Sequence, residues 1–563
     1  MTNHSATDSP SIRPRLFWIG LIVITAFAAC IRLYRLGDYP QSFTVDEMSS
    51  GYEAWSLWTT GADQHGNVLP LHVRRFNDYA PALPIYLSAP VVGLLGPDEF
   101  SARLPYALMG IGAVFGTAIL GRRWFGPAAG LLAALFLAID PWAVNFSRMA
   151  YPLGSVPLFT VLSLYTFTRL TNVLRADVAP RRGRLTWAAL CALCFALLTL
   201  AYEPMKLQGP LLVATCLLSA HACFWQRRRL AALWIGLYLL LISPLLVDQI
   251  LHGPLLQRHF AELTLIGKPD GALSIVLQYT LQYSPIGLFL TGLNRSIEAP
   301  AGFGIGELFW LEGVLWIAAA IALAKRPWLS ERLGFRLPLL LGIWFATFPL
   351  AASLTSGASS HREINFLPLP ELLAGSGAVV ILEWLAQTRF KRRAVLYAGV
   401  APGLVLLVCF AASFLQAYFS PSLLESTDPP DTLPYSVGLR PALAYLTAHA
   451  DPCDEIWLEP TFSAYMAYLF YTRYPPAKFQ QAVVFKKEDA AGWLFVPWMD
   501  GIWFATPGES PAYHPPLLAS CRGKPSRVWY VGKKQRLTTW PIVFSVDNVR
   551  GESVWRVQVR ESG

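Results

Sequence analysis

Residues 42–55, SFTVDEMSSGYEAW, set two adjacent carboxylates, Asp46 and Glu47, directly after the first long apolar run. They open the longest polar interruption before the second half of the chain, residues 38–105. That interruption also holds Glu53, Asp63, His65, His72, Arg74, Arg75 and Asp78, interspersed with aromatics. Polar chemistry of this density beside a membrane span marks a working loop rather than a plain connector.

The surrounding composition is that of a polytopic membrane protein. Of 563 residues, 54% are hydrophobic and only 14% charged, and the mean hydropathy is +0.41. Soluble domains carry about 25% charged residues. The net charge of +9 would point to nucleic acid if the basic residues shared one soluble face. They lie instead in short clusters between apolar runs, which is a topology signal.

A polar tail over 1–15 precedes an apolar run over 16–36, long enough to cross a bilayer of ~30 Å at ~1.5 Å per residue. FAAC at 27–30 loosely resembles a lipoprotein cleavage box, but the length of the run favours an uncleaved span. Further apolar runs lie at 101–120, 127–146, 152–170, 185–201, 205–224, 230–250, 308–324, 337–353, 366–386 and 394–414. The ambiguous segment is 81–96, PALPIYLSAPVVGLLG, short for a span and interrupted by prolines.

Charge parity decides how that segment is read. If 81–96 does not cross, Arg122-Arg123, Arg181, Arg182 and Arg184, Arg227 to Arg229, Lys325-Arg326, and Arg389 with Lys391 to Arg393 all face the cytoplasm, as the positive-inside rule requires. If it crosses, every one of them faces out. The segment is therefore expected to be a juxtamembrane interfacial helix. The expectation is about 11 transmembrane helices, with the N-terminus cytoplasmic and the C-terminus outside, in the plasma (inner) membrane. The acidic loop residues then fall on the outer face, and Asp140, Glu203, Asp248, Glu307 and Glu363 lie near outer span ends.

Composition divides the chain into a cytoplasmic tail (1–15), a transmembrane domain (16–414) containing the first outer loop (37–100), and an extracytoplasmic domain (415–563). The last alternates apolar stretches, EIWLE, AVVF, WLFV, RVWYV, IVFSV and SVWRVQV, with turn residues, which predicts strands. Helical patterns fall at 439–449 and 462–473. The expected fold is α/β or α+β, with its tryptophans in the core. Six of the eight cysteines sit in or beside apolar runs and read as small core residues; Cys453 and Cys521 are the candidates for an extracytoplasmic disulfide.

Adjacent carboxylates point in different directions on either a strand or a helix, so Asp46 and Glu47 need not share one role. Asp46 is the candidate general base, and Glu47 a group that orients it or holds a metal or a hydroxyl. An isolated Asp-Glu pair in a loop is ordinarily only solvated. Here its context is informative: Gly-x-Asp-x-x-Gly at 61–66, Pro81, Arg103-Leu104-Pro105, Gly121-Arg122-Arg123, Ser147-Arg148, and His361-Arg362 with Pro368 and Pro370. Together these resemble the bacterial protein-mannosyltransferase and aminoarabinose-transferase type of GT-C superfamily membrane glycosyltransferase (glycosyltransferase family 39-like), over most of 16–415. Family members often carry a basic residue followed by Pro-Pro at the juxtamembrane helix. The chain departs there, with Tyr79-Ala80-Pro81-Ala82, leaving Arg74, Arg75 or Lys206 to replace that basic residue.

The resemblance implies an α-helical polytopic GT-C fold and inverting transfer of a hexose or pentose from a polyprenyl-phosphate donor. The acceptor is an extracytoplasmic glycan, lipid or protein hydroxyl. A leaving lipid phosphate needs cations, and guanidinium matches it bidentately; Arg103, Arg148 and Arg362 fall at outer span ends, with His361, Lys206 and Asp63 as further binding candidates. Each of these arginines alone also fits a snorkelling interfacial residue. Glu203 and Lys206 first suggest a salt bridge one turn apart. A divalent metal, Mg²⁺ or Mn²⁺, would use oxygen ligands, with Asp46, Asp140 and Glu203 as candidates that share no ligand spacing. The alternatives are a transporter or lipid flippase, which would show repeat halves and mid-membrane charges, and a catalytically inactive assembly subunit on the same scaffold.

Overall fold

The computed structural model describes residues 13–41, 43–75, 79–176, 180–256, 258–291, 306–326, 328–356, 360–387, 392–420, 437–460, 464–482, 484–488, 494–505, 527–533, 539–548 and 550–561. Asp78 and Cys521 lie outside them. The chain forms two compact units, each discontinuous in sequence. One comprises Met1–Tyr34 and Tyr106–Tyr418; the other comprises Arg35–Pro105 and Phe419–Gly563. Residues 35–105 thus pack with the C-terminal segment.

The first unit is helical. Among the described residues, six helices, Pro14–Leu33, Glu99–Phe125, Arg181–Ala201, Arg228–Gly253, Leu369–Ala386 and Ala401–Tyr418, are long and apolar enough to cross a membrane. A seventh span results if Pro127–Ile139 and Pro141–Ser147, bent by 61°, are counted as one. The remaining expected spans are helical but fall short in length or apolarity: Val156–Arg175 is rich in threonine, and Met205–Ser219, Trp310–Lys325 and Leu337–Thr347 are short.

Small residues let these helices approach closely, as in other membrane bundles. A Cβ on Gly377 would overlap the Leu315 carbonyl oxygen of the Trp310–Lys325 helix. Beside that contact, Trp316 Nε1 donates to the Pro370 carbonyl at 3.0 Å. Arg32, fully buried, donates to the Leu137 and Ala138 carbonyls. These belong to the last turn of the Pro127–Ile139 helix, where carbonyls lack intrahelical partners.

The second unit is built on the Val45–Thr60 helix, the hairpin β1 (His72–Arg74) and β2 (Tyr79–Pro81), and the Ala82–Leu95 helix. The last is the segment expected to lie at the interface. Its face packs Ala82, Ile85, Ala89 and Val92 with Ala54 and Leu57 of the Val45–Thr60 helix. The C-terminal part carries strands β3 (Glu455–Leu458), β4 (Val484–Glu488), β5 (Leu494–Met499), β6 (Ile502–Trp503), β7 (Arg527–Gly532), β8 (Ile542–Asp547) and β9 (Ser553–Glu561). They form one mixed sheet in the order β4-β5-β6-β3-β7-β9-β8, with β3 parallel to β6 and β7. Each apolar stretch read as a strand is one, and the predicted helices appear as Leu439–His449 and Ala464–Tyr471. Trp529 and Trp555 are buried in the sheet core, and Trp457 stacks on Trp503 at 4.9 Å.

Candidate active site

The Val45–Thr60 helix starts on a capping box. Thr44 Oγ1 accepts from Glu47 N at 3.2 Å, and Glu47 Oε2 accepts from Thr44 N at 3.1 Å. Two otherwise unsatisfied N-terminal donors are thereby paired, and the helix ends at Gly61 in the left-handed conformation. Asp46 and Glu47 occupy its first turn, where the helix dipole favours acidic groups.

Their surroundings differ sharply. Glu47 is fully buried, and Arg103 meets it with Nε at 2.8 Å and Nη2 at 3.3 Å. This is a two-point guanidinium–carboxylate pair. Arg103 also donates to the Leu36 carbonyl, and its guanidinium lies 5.0 Å over the Phe43 ring. Asp46, by contrast, keeps 36% of its side-chain surface and receives Arg75 Nη1 on Oδ1 at 3.0 Å. Arg75 Nη2 donates to Ser50 Oγ at 2.9 Å. Asp46, Ser50 and Glu53 are spaced i, i+4 and i+7 and therefore share one helix face.

Glu53 closes this face from below. It is buried, its Oε2 accepts from Gln64 N at 3.0 Å, and its Oε1 has no hydrogen-bond partner among the described residues. Burial pushes its carboxyl well above the usual range, and the neighbouring Asp63 adds to the push. Asp63, a binding candidate from the sequence, is buried and organises its own turn: Oδ1 accepts from His65 N and Asn67 N, and Oδ2 from Asn67 Nδ2. It is a turn-forming aspartate of the usual kind.

The other candidates belong to the helical unit. Arg148 is fully buried, donates to the Ile31 and Tyr34 carbonyls, and lies over the Tyr418 ring. Lys206 pairs with Glu203 at 2.6 Å, one turn apart, as the spacing implies. Arg362 is partly exposed and donates to Thr355 Oγ1 and the Ser356 carbonyl; His361 beside it is also partly exposed. Asp140 caps the Pro141–Ser147 helix, its Oδ1 accepting from Ala143 N at 2.7 Å. Among the described residues, no three His, Cys, Asp or Glu side chains gather as a metal ligand set. Cys453 is disulfide-bonded, while Cys30, Cys191, Cys194, Cys216, Cys223 and Cys409 are free thiols.

Two features escaped the sequence reading. The capping box was visible as Thr44-Val45-Asp46-Glu47, the Thr-x-x-Glu signature, but only a helix makes that spacing meaningful. Arg75 as the partner of Asp46 lies 29 positions away, beyond the rest of the helix, a turn and β1, and no local pattern joins them.

Residues 80–247 match the family model described as dolichyl-phosphate-mannose-protein mannosyltransferase. A putative mannosyltransferase, YycA of Bacillus subtilis (strain 168), is 28% identical over 164 residues, covering 28% of this chain and 22% of that protein. The aligned part is thus about a fifth of that relative's length. Among solved structures, ArnT from Cupriavidus metallidurans bound to undecaprenyl phosphate matches with a TM-score of 0.53 at 13% identity, over 97% of each chain. The oligosaccharyltransferase AglB from Archaeoglobus fulgidus, in complex with an inhibitory peptide and a dolichol-phosphate, matches with a TM-score of 0.50 at 13% identity. That likeness covers 81% of this chain and 63% of AglB. Motifs, family model and three-dimensional likeness agree: the chain carries the fold of the GT-C membrane glycosyltransferases.

Proposed function

We propose that the protein transfers a sugar from a polyprenyl-phosphate donor to a hydroxyl acceptor outside the cytoplasm, with inversion at the anomeric carbon. The observation that carries this reading is the contrast within one helical turn: a partly exposed Asp46 carboxylate oriented by Arg75, beside a buried Glu47. In the proposed step the acceptor oxygen bonds to the anomeric carbon as its proton passes to Asp46. The bond from that carbon to the donor's phosphate oxygen breaks, and the lipid phosphate leaves with the electron pair. Accepting a proton in such a step is general-base work, worth about 10²–10⁴-fold in rate.

Glu47 acts at one remove, through its cap and its pair with Arg103. The placement in the plasma membrane with the site facing out rests on charge parity, and the structural likeness to proteins solved with undecaprenyl phosphate and dolichol-phosphate supports a lipid-linked donor. Donor sugars presented on polyprenyl phosphate in vesicles, with acceptor-dependent release of lipid phosphate as readout, test the reading. Asp46→Asn is expected to lower turnover by about 10³-fold while the protein stays folded. Wild-type turnover in that variant would show that another group is the base.

A further inference from the structure

The Val45–Thr60 helix is held from behind by residues more than 400 positions away in sequence. Tyr52 OH donates to the Tyr474 carbonyl at 2.8 Å. Gln480 Nε2 lies within hydrogen-bond distance of three acceptors: Ser56 Oγ at 3.2 Å, Thr60 Oγ1 at 3.0 Å and the Asp63 carbonyl at 2.8 Å. Just N-terminal to these anchors, the helix approaches so closely that a Cβ on Gly51 would sit 2.7 Å from the Phe470 ring. Tyr474 and Lys478 are tied in turn to the sheet: both reach Asp500 Oδ2 at 2.7 Å, at the turn between β5 and β6.

We infer that Gln480, on the Pro476–Gln481 helix, is a positioning residue that fixes the register of the Val45–Thr60 helix and thereby the placement of Asp46. This rests on the proposed role of Asp46, but its mechanical part does not. An amide that bridges the last turn of a helix to the following loop resists both sliding and rotation of that helix. A carboxylate about three to four turns away then keeps its angle to the substrate. Misplacement by 1 Å in a reacting group costs about 10²-fold in rate, so the amide acts on kcat rather than on donor affinity. The C-terminal segment is, on this inference, the rear wall of the catalytic loop.

The test uses the full-length protein in vesicles and two independent readouts. Gln480→Ala is expected to lower kcat by about 10- to 100-fold with KM for the donor within about twofold. Amide hydrogen exchange over residues 56–66 should accelerate about tenfold, with β3 and β7 keeping wild-type protection. Thr60→Val, which removes one acceptor from the opposite side, should produce a milder form of both changes. Combined with Gln480→Ala it should add little, because the two substitutions remove one shared interaction. Wild-type kcat and wild-type exchange in Gln480→Ala overturn the inference. So does exchange that accelerates equally across the sheet, since that is a general loss of stability; if Gln480→Ala does not fold, Thr60→Val decides by the same criteria. If the wild-type protein itself transfers no sugar, the functional proposal fails, and the exchange pattern alone still decides whether Gln480 holds the helix.

Discussion

Individual buried carboxyls of the two units differ sharply in how they are held. In the loop and C-terminal unit, Glu47 is clasped at two points by a guanidinium and also caps a helix. In the helical unit, Glu312 and Glu371 are equally buried, yet their side-chain oxygens have no hydrogen-bond partner among the described residues. A carboxylate held by two N–H donors is an orientation device; a carboxyl packed among helices without such donors orients nothing. The difference teaches that burial alone does not orient a carboxyl: at the first turn of the Val45–Thr60 helix, the Arg103 guanidinium and the Thr44 N–H do.

This contrast can be broken by substitution. The largest effect is expected from Arg103→Ala, which leaves Glu47 buried without its cation. Uncoupling a fully buried pair in this way costs ~3–5 kcal/mol, enough to be read as a large fall in the denaturation midpoint of the purified protein. A fall below ~1 kcal/mol would mean that water reaches Glu47 once the arginine is gone.

Next comes the pH response of Glu53. Its folded-state carboxyl titrates well above the usual value because it is buried beside Asp63. The folded protein therefore holds a proton that the unfolded chain releases near pH 4.5. The stabilisation linked to that proton is complete below the unfolded pKa and is lost as pH rises through the folded one. Glu53→Gln, which cannot titrate, should flatten the decline of thermal stability on raising pH above about 4.5, while retaining an acceptor for Gln64 N. Parallel pH curves for variant and wild type would refute the assignment.

The smallest effect is expected from Glu371→Gln. No described hydrogen bond is removed, and the amide has nearly the same shape, so the midpoint should move by less than the ~1 kcal/mol of a typical hydrogen bond. A larger loss would reveal a partner for Glu371 and weaken the contrast with Glu47.

Much of the fold was legible because it is carried by local patterns. Apolar runs marked the long helices, alternation marked β3 to β5 and β7 to β9, and the Pro-rich 81–96 segment emerged as the Ala82–Leu95 helix. The very short β6 left no comparable signal. The site was legible only in part. Asp46 stood out because an acidic pair beside a span is rare, but the separate fates of Asp46 and Glu47 depend on Arg75 and Arg103, 29 and 56 positions further along the chain. Arg103 looked like a phosphate ligand because it starts a span, yet tertiary packing turned its guanidinium towards Glu47. Gln480 had no signal at all: a glutamine on a short C-terminal helix gains meaning only from the three oxygens that surround it.

The Val45–Thr60 and Pro476–Gln481 helices are separated by more than 400 residues of chain, including Tyr106–Tyr418 of the helical unit, yet they belong to one folded body. The natural exchangeable module of this protein is accordingly not a stretch of sequence but a pair of stretches. A chimaera that imports only the C-terminal 145 or so residues of a relative would pair a foreign Gln480 equivalent with a native Ser56, Thr60 and Gly51. It would be mismatched at the face packed against the Val45–Thr60 helix, so domain grafting requires Arg35–Pro105 and Phe419–Gly563 to travel together.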